Sequence, residues 1–380
     1  MTSAGRPAGP VVVMNAGSST LKVRVLGADY TVERSLDLDP WDGSADHREL
    51  SDFLTASGDA AVVGHRVVHG GTRFSHAVLI DDTVVAAIAS LTSLAPLHQP
   101  RALAGIEAAR RALPAVPGVA CFDTAFHAGM PADAVRYALP DSWTRRYDLR
   151  RYGFHGLSHG YAARQAADLL RRDATELRIV TCHLGAGASL AAVLRGRCVD
   201  TTMGFTPLEG LVMATRSGSV DPGLIMWLLQ SAGLGLDEVA DGLEHSAGLA
   251  GISGIQSGDM REVLRAADAG SRSAGLAVGV YLHRLRREIA AMAAAMNGLD
   301  VLVFTGGVGE HSPRIRAAAA AGLEFLGVSL DPKRNGQTSD ADVSGAGPVR
   351  VLVITAREDV EIARQARAIV MASSWRHDAG

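Results

Sequence analysis

Two stretches of this chain share one pattern, and that pattern narrows the possible folds more than any other feature. Val11 to Leu26 reads VVVMNAGSSTLKVRVL: an apolar run to Met14, a turn rich in Gly, Ser and Thr, then alternation from Leu21 to Val25. Period-2 alternation after the turn marks a second strand, so the segment is a hairpin; a P-loop would end in Gly-Lys-Ser/Thr and open a helix. Arg178 to Asp200, RIVTCHLGAGASLAAVLRGRCVD, repeats the design with its turn at Gly185 to Ser189. Gly and Ser populate hairpin turns for conformational reasons alone, so either turn by itself is weak evidence for phosphate binding. The pair strengthens that reading and predicts a duplicated domain.

Strands and helices interleave around the hairpins. Ala60 to His69 reads as a strand, Arg101 to Ala112 as an Ala-rich helix and Val119 to Phe126 as a short strand. A helical pattern from Ser271 runs to a stop at Asn297-Gly298. The strand DVLVF, the turn TGGVGEH and a helix with Ser312 as N-cap and Pro313 at its first position follow. A glycine turn ahead of a helix start suits an anion or a nucleotide, because no side chain keeps the ligand off the backbone. Val349 to Ile354 is a last strand, feeding Glu358, Asp359 and a helix to about Met371, while 336–347 reads as a surface loop. The expected architecture is two α/β domains of related topology, 9–125 with a returning C-terminal helix 360–375, and 126–359.

Composition bounds the class. With 380 residues, 47% hydrophobic and 20% charged, the chain has the makeup of a core-forming globular protein. A formal net charge of -3 gives no electrostatic case for a nucleic-acid partner. Cys121, Cys182 and Cys198 show no CxxC spacing and read as structural thiols in a reducing compartment. No signal-peptide pattern and no apolar run of about 18 residues occurs, so a soluble, cytoplasmic protein with no membrane partner is expected.

Polar residues crowd where apolar strands end: GHRVVHGG, FDTAFH, RYGFHGLSH, TRSGSVDPG and AREDVE. A single Arg or His at such a place is more often a solvated strand end than a catalytic group. Two phosphate-type turns with isolated arginines and scattered carboxylates are nevertheless what phosphoryl transfer needs: guanidinium forks for a planar anion, carboxylates for Mg²⁺. The histidines show no zinc spacing, no Gly-x-Ser-x-Gly elbow occurs, and GGVGEH does not meet the dinucleotide register.

The segments NAGSSTLK, GHRVVHGG, APLHQP, FDTAFH, YGFHGLSH, HLGAGAS, DTTMGFTPLEGL, TRSGSVDPG, GLAGISG, GDMRE and FTGGVGEHSPRIR stand in one order. In that order they resemble the acetate kinase family of the sugar kinase, Hsp70 and actin superfamily, over about Val11 to Ala372. The resemblance implies two related actin-like (ribonuclease H-like) α/β domains with a nucleotide cleft between them, and a homodimer joined through the second. It implies reversible transfer of the ATP γ-phosphoryl group to a short-chain carboxylate with Mg²⁺ or Mn²⁺, ATP and ADP being co-substrates. The acceptor carboxylate is itself the nucleophile, so no general base is needed. By motif, Arg66 and Arg216 grip the carboxylate and the transferring phosphoryl group, His155 donates a hydrogen bond in the transition state, and Asp123 and Glu358 are metal-site carboxylates with Asn15 beside them. Val68, Leu97, Phe154 and Pro207 match the acyl pocket, for which plain core packing is nearly as good a reading. Asn15, Ser18, Thr20 and Lys22 match the first phosphate hairpin and His183, Gly185, Ala186 and Gly187 the second. Asp259, Met260 and Arg261 match the adenosine side, with Gly306, Gly307, Val308, Gly309 and His311 lining the nucleotide.

The chain departs from the family pattern at Ala186, where Asn is usual, and at His311, Ser219, Ala214 and Arg357. None of these removes a charged catalytic candidate. Propionate or butyrate stays open as acceptor, since one methylene in an apolar pocket changes discrimination by only ~1–3 kcal/mol. Pyrophosphate stays open as donor, although Gly307 and Val308 leave room for adenosine. A slow actin-like ATPase switch is the reading from another class, and it has no need of two arginines at a carboxylate pocket.

Overall fold

The structure, a computed structural model, describes residues 9–17, 19–41 and 43–377, the last four as backbone. It forms two compact units, one of Met1–Ala128, Phe154–Tyr161 and Arg357–Gly380, the other of Gly129–Gly153 and Ala162–Ala356. The segments 126–128, 154–161 and 357–359, expected in the second domain, thus belong to the first unit.

The first unit holds β1 (Val11–Ala16), β2 (Leu21–Leu26), β3 (Val32–Leu38), β4 (Val62–Val67), β5 (Val78–Leu79) and β6 (Gly118–Phe122), in sheet order β3-β2-β1-β4-β6-β5. Gly17 N donates to Thr20 O at 2.8 Å and closes the first hairpin. Lys22 and Arg24 put polar side chains on β2, but β1 is apolar throughout its first four residues because both of its faces are covered. Val12, Met14 and Ala16 pack with Trp41, Leu50 and Leu54, whereas Val11 and Val13 pack with Ile362, Ala363 and Ala366 of the closing helix Glu358–His377. That helix lies so close to β4 that a Cβ on Gly64 would stand 2.6 Å from Ile362 Cγ2.

The second unit holds β7 (Arg178–Leu184), β8 (Ala188–Leu194), β9 (Arg197–Thr201), β10 (Val301–Thr305), β11 (Ala341–Asp342) and β12 (Arg350–Val353). Written from β9, their order is β9-β8-β7-β10-β12-β11, the same path as the first sheet. Each begins as a three-stranded antiparallel meander, continues through two parallel strands and ends on a two-residue antiparallel edge. The duplicated hairpin is therefore the visible part of a duplicated sheet.

Local signals place several helices. Ser271 accepts from Ala274 N at 3.3 Å to cap the helix Arg272–Ala295, and Ser312 accepts from Ile315 N at 3.4 Å to cap Pro313–Ala320. Two expectations are corrected. The glycine run after β10 is a short helix, Gly306–His311, and not a turn, because Gly306 adopts φ +77° and lets helical bonding begin at once. The loop 336–347 contains the edge strand β11, whose two backbone partners on β12 a period count cannot reveal.

Candidate active site

The parallel strands β1, β4 and β6 end beside one another in the first unit, and each delivers one polar residue at its carboxyl end. These are Asn15, Arg66 and Asp123; the closing helix adds Glu358 in its first turn. Carboxyl ends of parallel strands are where α/β sheets hold ligands. Arg66 Nη2 donates to Asp123 Oδ2 at 2.7 Å, Nε reaches both Asp123 oxygens at 3.1 and 3.2 Å, and Nη1 donates to Asn15 Oδ1 at 3.1 Å. Asn15 Nδ2 in turn donates to Glu358 Oε2 at 2.9 Å, and that oxygen lies 4.0 Å from Arg66 Nη1.

The charges in this cluster set one another. Burial works against the Arg66 guanidinium, but the Asp123 and Glu358 carboxylates outweigh it and hold Arg66 above the ordinary arginine value. Burial pushes the Asp123 carboxyl up, Arg66 pulls it back, and the Glu358 charge adds to the rise. One cation faces two carboxylates, which leaves net negative charge among oxygen donors.

Asp123 also anchors the next polar residue. Gly156 N donates to Asp123 O at 3.0 Å, and a Cβ on Gly156 would sit 2.1 Å from that oxygen, so only glycine permits the approach. His155, immediately before it, is held at φ 57°, a region that non-glycine residues occupy at a cost and often at functional sites. Phe154 is buried edge-on to His69, and His127 Nε2 donates to its carbonyl at 2.9 Å.

In the second unit, the turn at Gly185 and Ala186, the helix Met260–Asp268 with its N-cap Asp259, and the Gly306–His311 helix surround a cavity of about 780 Å³. Ligand pockets commonly span roughly 300–1,000 Å³. Gly185, Ala186, Asp259, Met260, Arg261, Gly307, Val308 and His311 all line it. Asp259 accepts from Arg261 N at 2.8 Å and from its side chain at 2.6 Å, and these bonds hold its carboxyl down at about 2. Gly187, Gly306 and Gly309 shape the backbone without lining the cavity: Gly187 O receives Gly185 N at 2.9 Å, and Gly309 O receives the buried Arg316 at 2.8 Å. His183 is the next-to-last residue of β7, close to the turn.

Arg216, also in this unit, differs from Arg66. Its Nη1 donates to Pro207 O at 3.2 Å and lies 3.6 Å from Met213 Sδ, and no carboxylate pairs with it among the described residues. Burial depresses its pKa and the more distant Glu244 charge only partly restores it.

Other expected residues fall as follows. Ser18 lies outside the described residues. Lys22 stands opposite Asn15 in the β1–β2 register and is exposed; Thr20 closes the hairpin through its carbonyl. Val68 and Phe154 are buried while Leu97 is 50% exposed, all in the first unit; Pro207 belongs to the second. Arg357 turns to Asp359, Nε to Oδ1 at 2.9 Å. Two residues were not foreseen. Glu310, buried, accepts from Gly306 N at 2.8 Å and Ala356 N at 2.9 Å, pinning the glycine helix; its signal was its place inside GGVGEH. Tyr281 lines the cavity with a buried hydroxyl that has no partner among the described residues, and it read only as part of a helix.

Residues 44–364 match the Acetokinase family profile. The chain is 52% identical over 313 residues to an acetate kinase of Synechococcus sp. (strain JA-2-3B'a(2-13)), covering 82% of this chain and 77% of that protein. Among solved structures it resembles Porphyromonas gingivalis acetate kinase with a TM-score of 0.88 at 35% identity, over 96% of this chain and 100% of that one. It also resembles a propionate kinase from Francisella tularensis subsp. tularensis SCHU S4, with a TM-score of 0.87 at 34% identity, over 95% and 100%. A match of that extent and identity leaves one conclusion: the chain belongs to the acetokinase family.

Proposed function

We propose that this chain is an acetate kinase that transfers the γ-phosphoryl group of ATP to acetate, giving acetyl phosphate and ADP, reversibly and with Mg²⁺. The observation that carries the reading is Arg216, a desolvated guanidinium whose charge meets no carboxylate among the described residues. Such a group is a standing site for an anion. An acetate oxygen attacks the γ-phosphorus in line while the bond to the ADP oxygen breaks, and the acceptor is already ionised, so no proton has to be removed. Arg216 and Arg66 stabilise the charge that spreads over the transferring phosphoryl oxygens, and His155 donates a hydrogen bond to them. The cavity bounded by Gly185, Asp259 and Gly307 takes the nucleotide.

Asn15, Asp123 and Glu358 fit a hard divalent cation: they gather an amide and two carboxylates, and among the described residues no larger His, Cys, Asp or Glu group is present. Magnesium typically keeps waters and phosphate oxygens as further ligands. Bound there, the ion supplies charge neutralisation to the phosphates.

The enzyme acts as a homodimer in the cytoplasm. Leu224, Met226 and Trp227, on the helix Pro222–Gln230, are 45%, 51% and 56% exposed, an apolar surface that suits a second copy. The three cysteines, all buried and free, suit a reducing compartment. No helix among the described residues is long and apolar enough to cross a membrane.

Trapping acyl phosphate with hydroxylamine tests the reaction. Acetate-dependent hydroxamate with stoichiometric ADP is expected, and parallel runs with propionate and butyrate rank the acceptors. ADP release unchanged by omitting acetate overturns the proposal in favour of an ATPase. A monomer mass by light scattering at micromolar concentration overturns the dimer.

A further inference from the structure

Alternation along β4 sends neighbouring residues to opposite faces of the first sheet. Gly64 and Arg66 face the closing helix and the polar cluster, whereas Val63, His65 and Val67 face the helix Gln99–Ala112. His65 is 2% exposed and makes no hydrogen bond with any described residue. Its ring nitrogens are not sealed in the core, so the imidazole keeps a donor and an acceptor open to the space beside it.

A cavity of about 450 Å³ accounts for it. His65 lies in its lining; Val63, Ile80, Ile106, Leu113 and Val116 make apolar walls, and Gly118 approaches the imidazole so that a Cβ there would lie 3.7 Å from Nε2. Arg110, in the last turn of the Gln99–Ala112 helix, is the charged group of the lining; its side chain is 51% exposed and Nη2 holds Asp82 at 2.7 Å, leaving other N–H groups for a ligand. The volume is about three times that of a pocket which binds benzene, enough for a ring with substituents at both ends.

We propose that this cavity is a second ligand site, separate from the phosphoryl-transfer residues, for a small hydroxylated aromatic carboxylic acid. The ring lies between the apolar walls, the hydroxyl bonds the His65 imidazole, and the carboxylate meets the Arg110 guanidinium at the rim. Burial holds the His65 pKa at about 3, so the ring is neutral at physiological pH and offers one donor and one acceptor. A neutral imidazole cannot balance a carboxylate, which is why the charged end belongs with Arg110.

The probe is 4-hydroxyphenylacetate, titrated into the full-length protein with acetate saturating, and read by calorimetry and by the His65 ring signals in NMR. Binding below about 1 mM with a shift of the His65 resonances is expected. Phenylacetate, which lacks the hydroxyl, should bind about tenfold more weakly, as should the probe to the surface variant Arg110→Ala. Gly118→Ala, which places a methyl beside Nε2 in ordinary contact, should weaken the probe while the protein stays folded by circular dichroism. No shift of His65 up to about 10 mM probe, or affinity unchanged in both Arg110→Ala and Gly118→Ala, would overturn the assignment.

Discussion

Arg66 and Arg216 are the same residue type proposed for the same phosphoryl group, and the two units treat them in opposite ways. Arg66 is bonded by Asp123 and Asn15 with Glu358 near, so its charge is balanced before any substrate arrives. Arg216 has a carbonyl and a thioether, and burial works against it. The first unit thus pairs its arginine, holds it in a fixed orientation and keeps net negative charge beside it. The second keeps an unbalanced charge that an incoming anion satisfies. A desolvated charge left alone costs stability, whereas a paired one makes the fold depend on its partner staying in place.

The sharpest way to break that comparison is to remove each arginine. Arg216→Ala and Arg66→Ala should each lower kcat on the order of a thousandfold or more, and lysine should rescue poorly because it lacks the planar fork. Retention of more than about a tenth of the turnover, roughly 1.4 kcal/mol of barrier, would remove that arginine from the mechanism. Stability should separate the two. Arg66→Ala strands the buried Asp123 carboxylate and should cost about 3–5 kcal/mol in denaturant unfolding. Arg216→Ala should leave the midpoint unchanged or raise it, and equal losses in both variants would refute the contrast.

Smaller effects sharpen the picture of the second unit. Glu310→Ala leaves the buried Gly306 amide and the half-buried Ala356 amide without their acceptor, at about 1–3 kcal/mol for the buried one, and should raise the KM for ATP more than it lowers kcat. Ala186→Asn restores an amide on the cavity wall; a full bond to phosphate is worth ~1.5–3 kcal/mol, so ATP should bind about tenfold to a hundredfold more tightly. The same change made with His311→Asn tells whether His311 has taken over that contact, and no effect in either background would mean that position 186 does not meet the phosphates. Last, Asp259 has its pKa lowered from 3.8 to about 2 by its bonds to Arg261. A depressed carboxylate contributes stability above its unfolded pKa and loses it as pH falls through the folded value. Melting temperatures of wild type and Asp259→Asn should therefore converge between pH 4 and about pH 2, and by little, because the pair is largely solvated.

What was readable in the chain was local or periodic. The hairpins, the caps at Ser271 and Ser312 and the cluster of polar residues at strand ends all follow from neighbours a few positions apart, and the repeated hairpin disclosed the repeated sheet. The resemblance supplied the proposed roles of Arg66, Asp123, Arg216 and Glu358, but not who holds whom. Asn15 meets Glu358 across 343 positions and Arg66 meets Asp123 across 57, partnerships that exist only because parallel strands β1, β4 and β6 register side by side and the final helix returns to them. Glu310 and His65 show the same limit. In sequence one is a charge in a glycine motif and the other a histidine in an apolar strand. Packing makes the first a buried acceptor for two amides and leaves the second facing a cavity. Sequence alone thus determined most of the elements, the caps at Ser271 and Ser312 and the family, since propensity and periodicity act over short range. The tertiary structure decided which charges are balanced and which are exposed to a ligand, since desolvation and pairing depend on neighbours that only the folded sheet brings together.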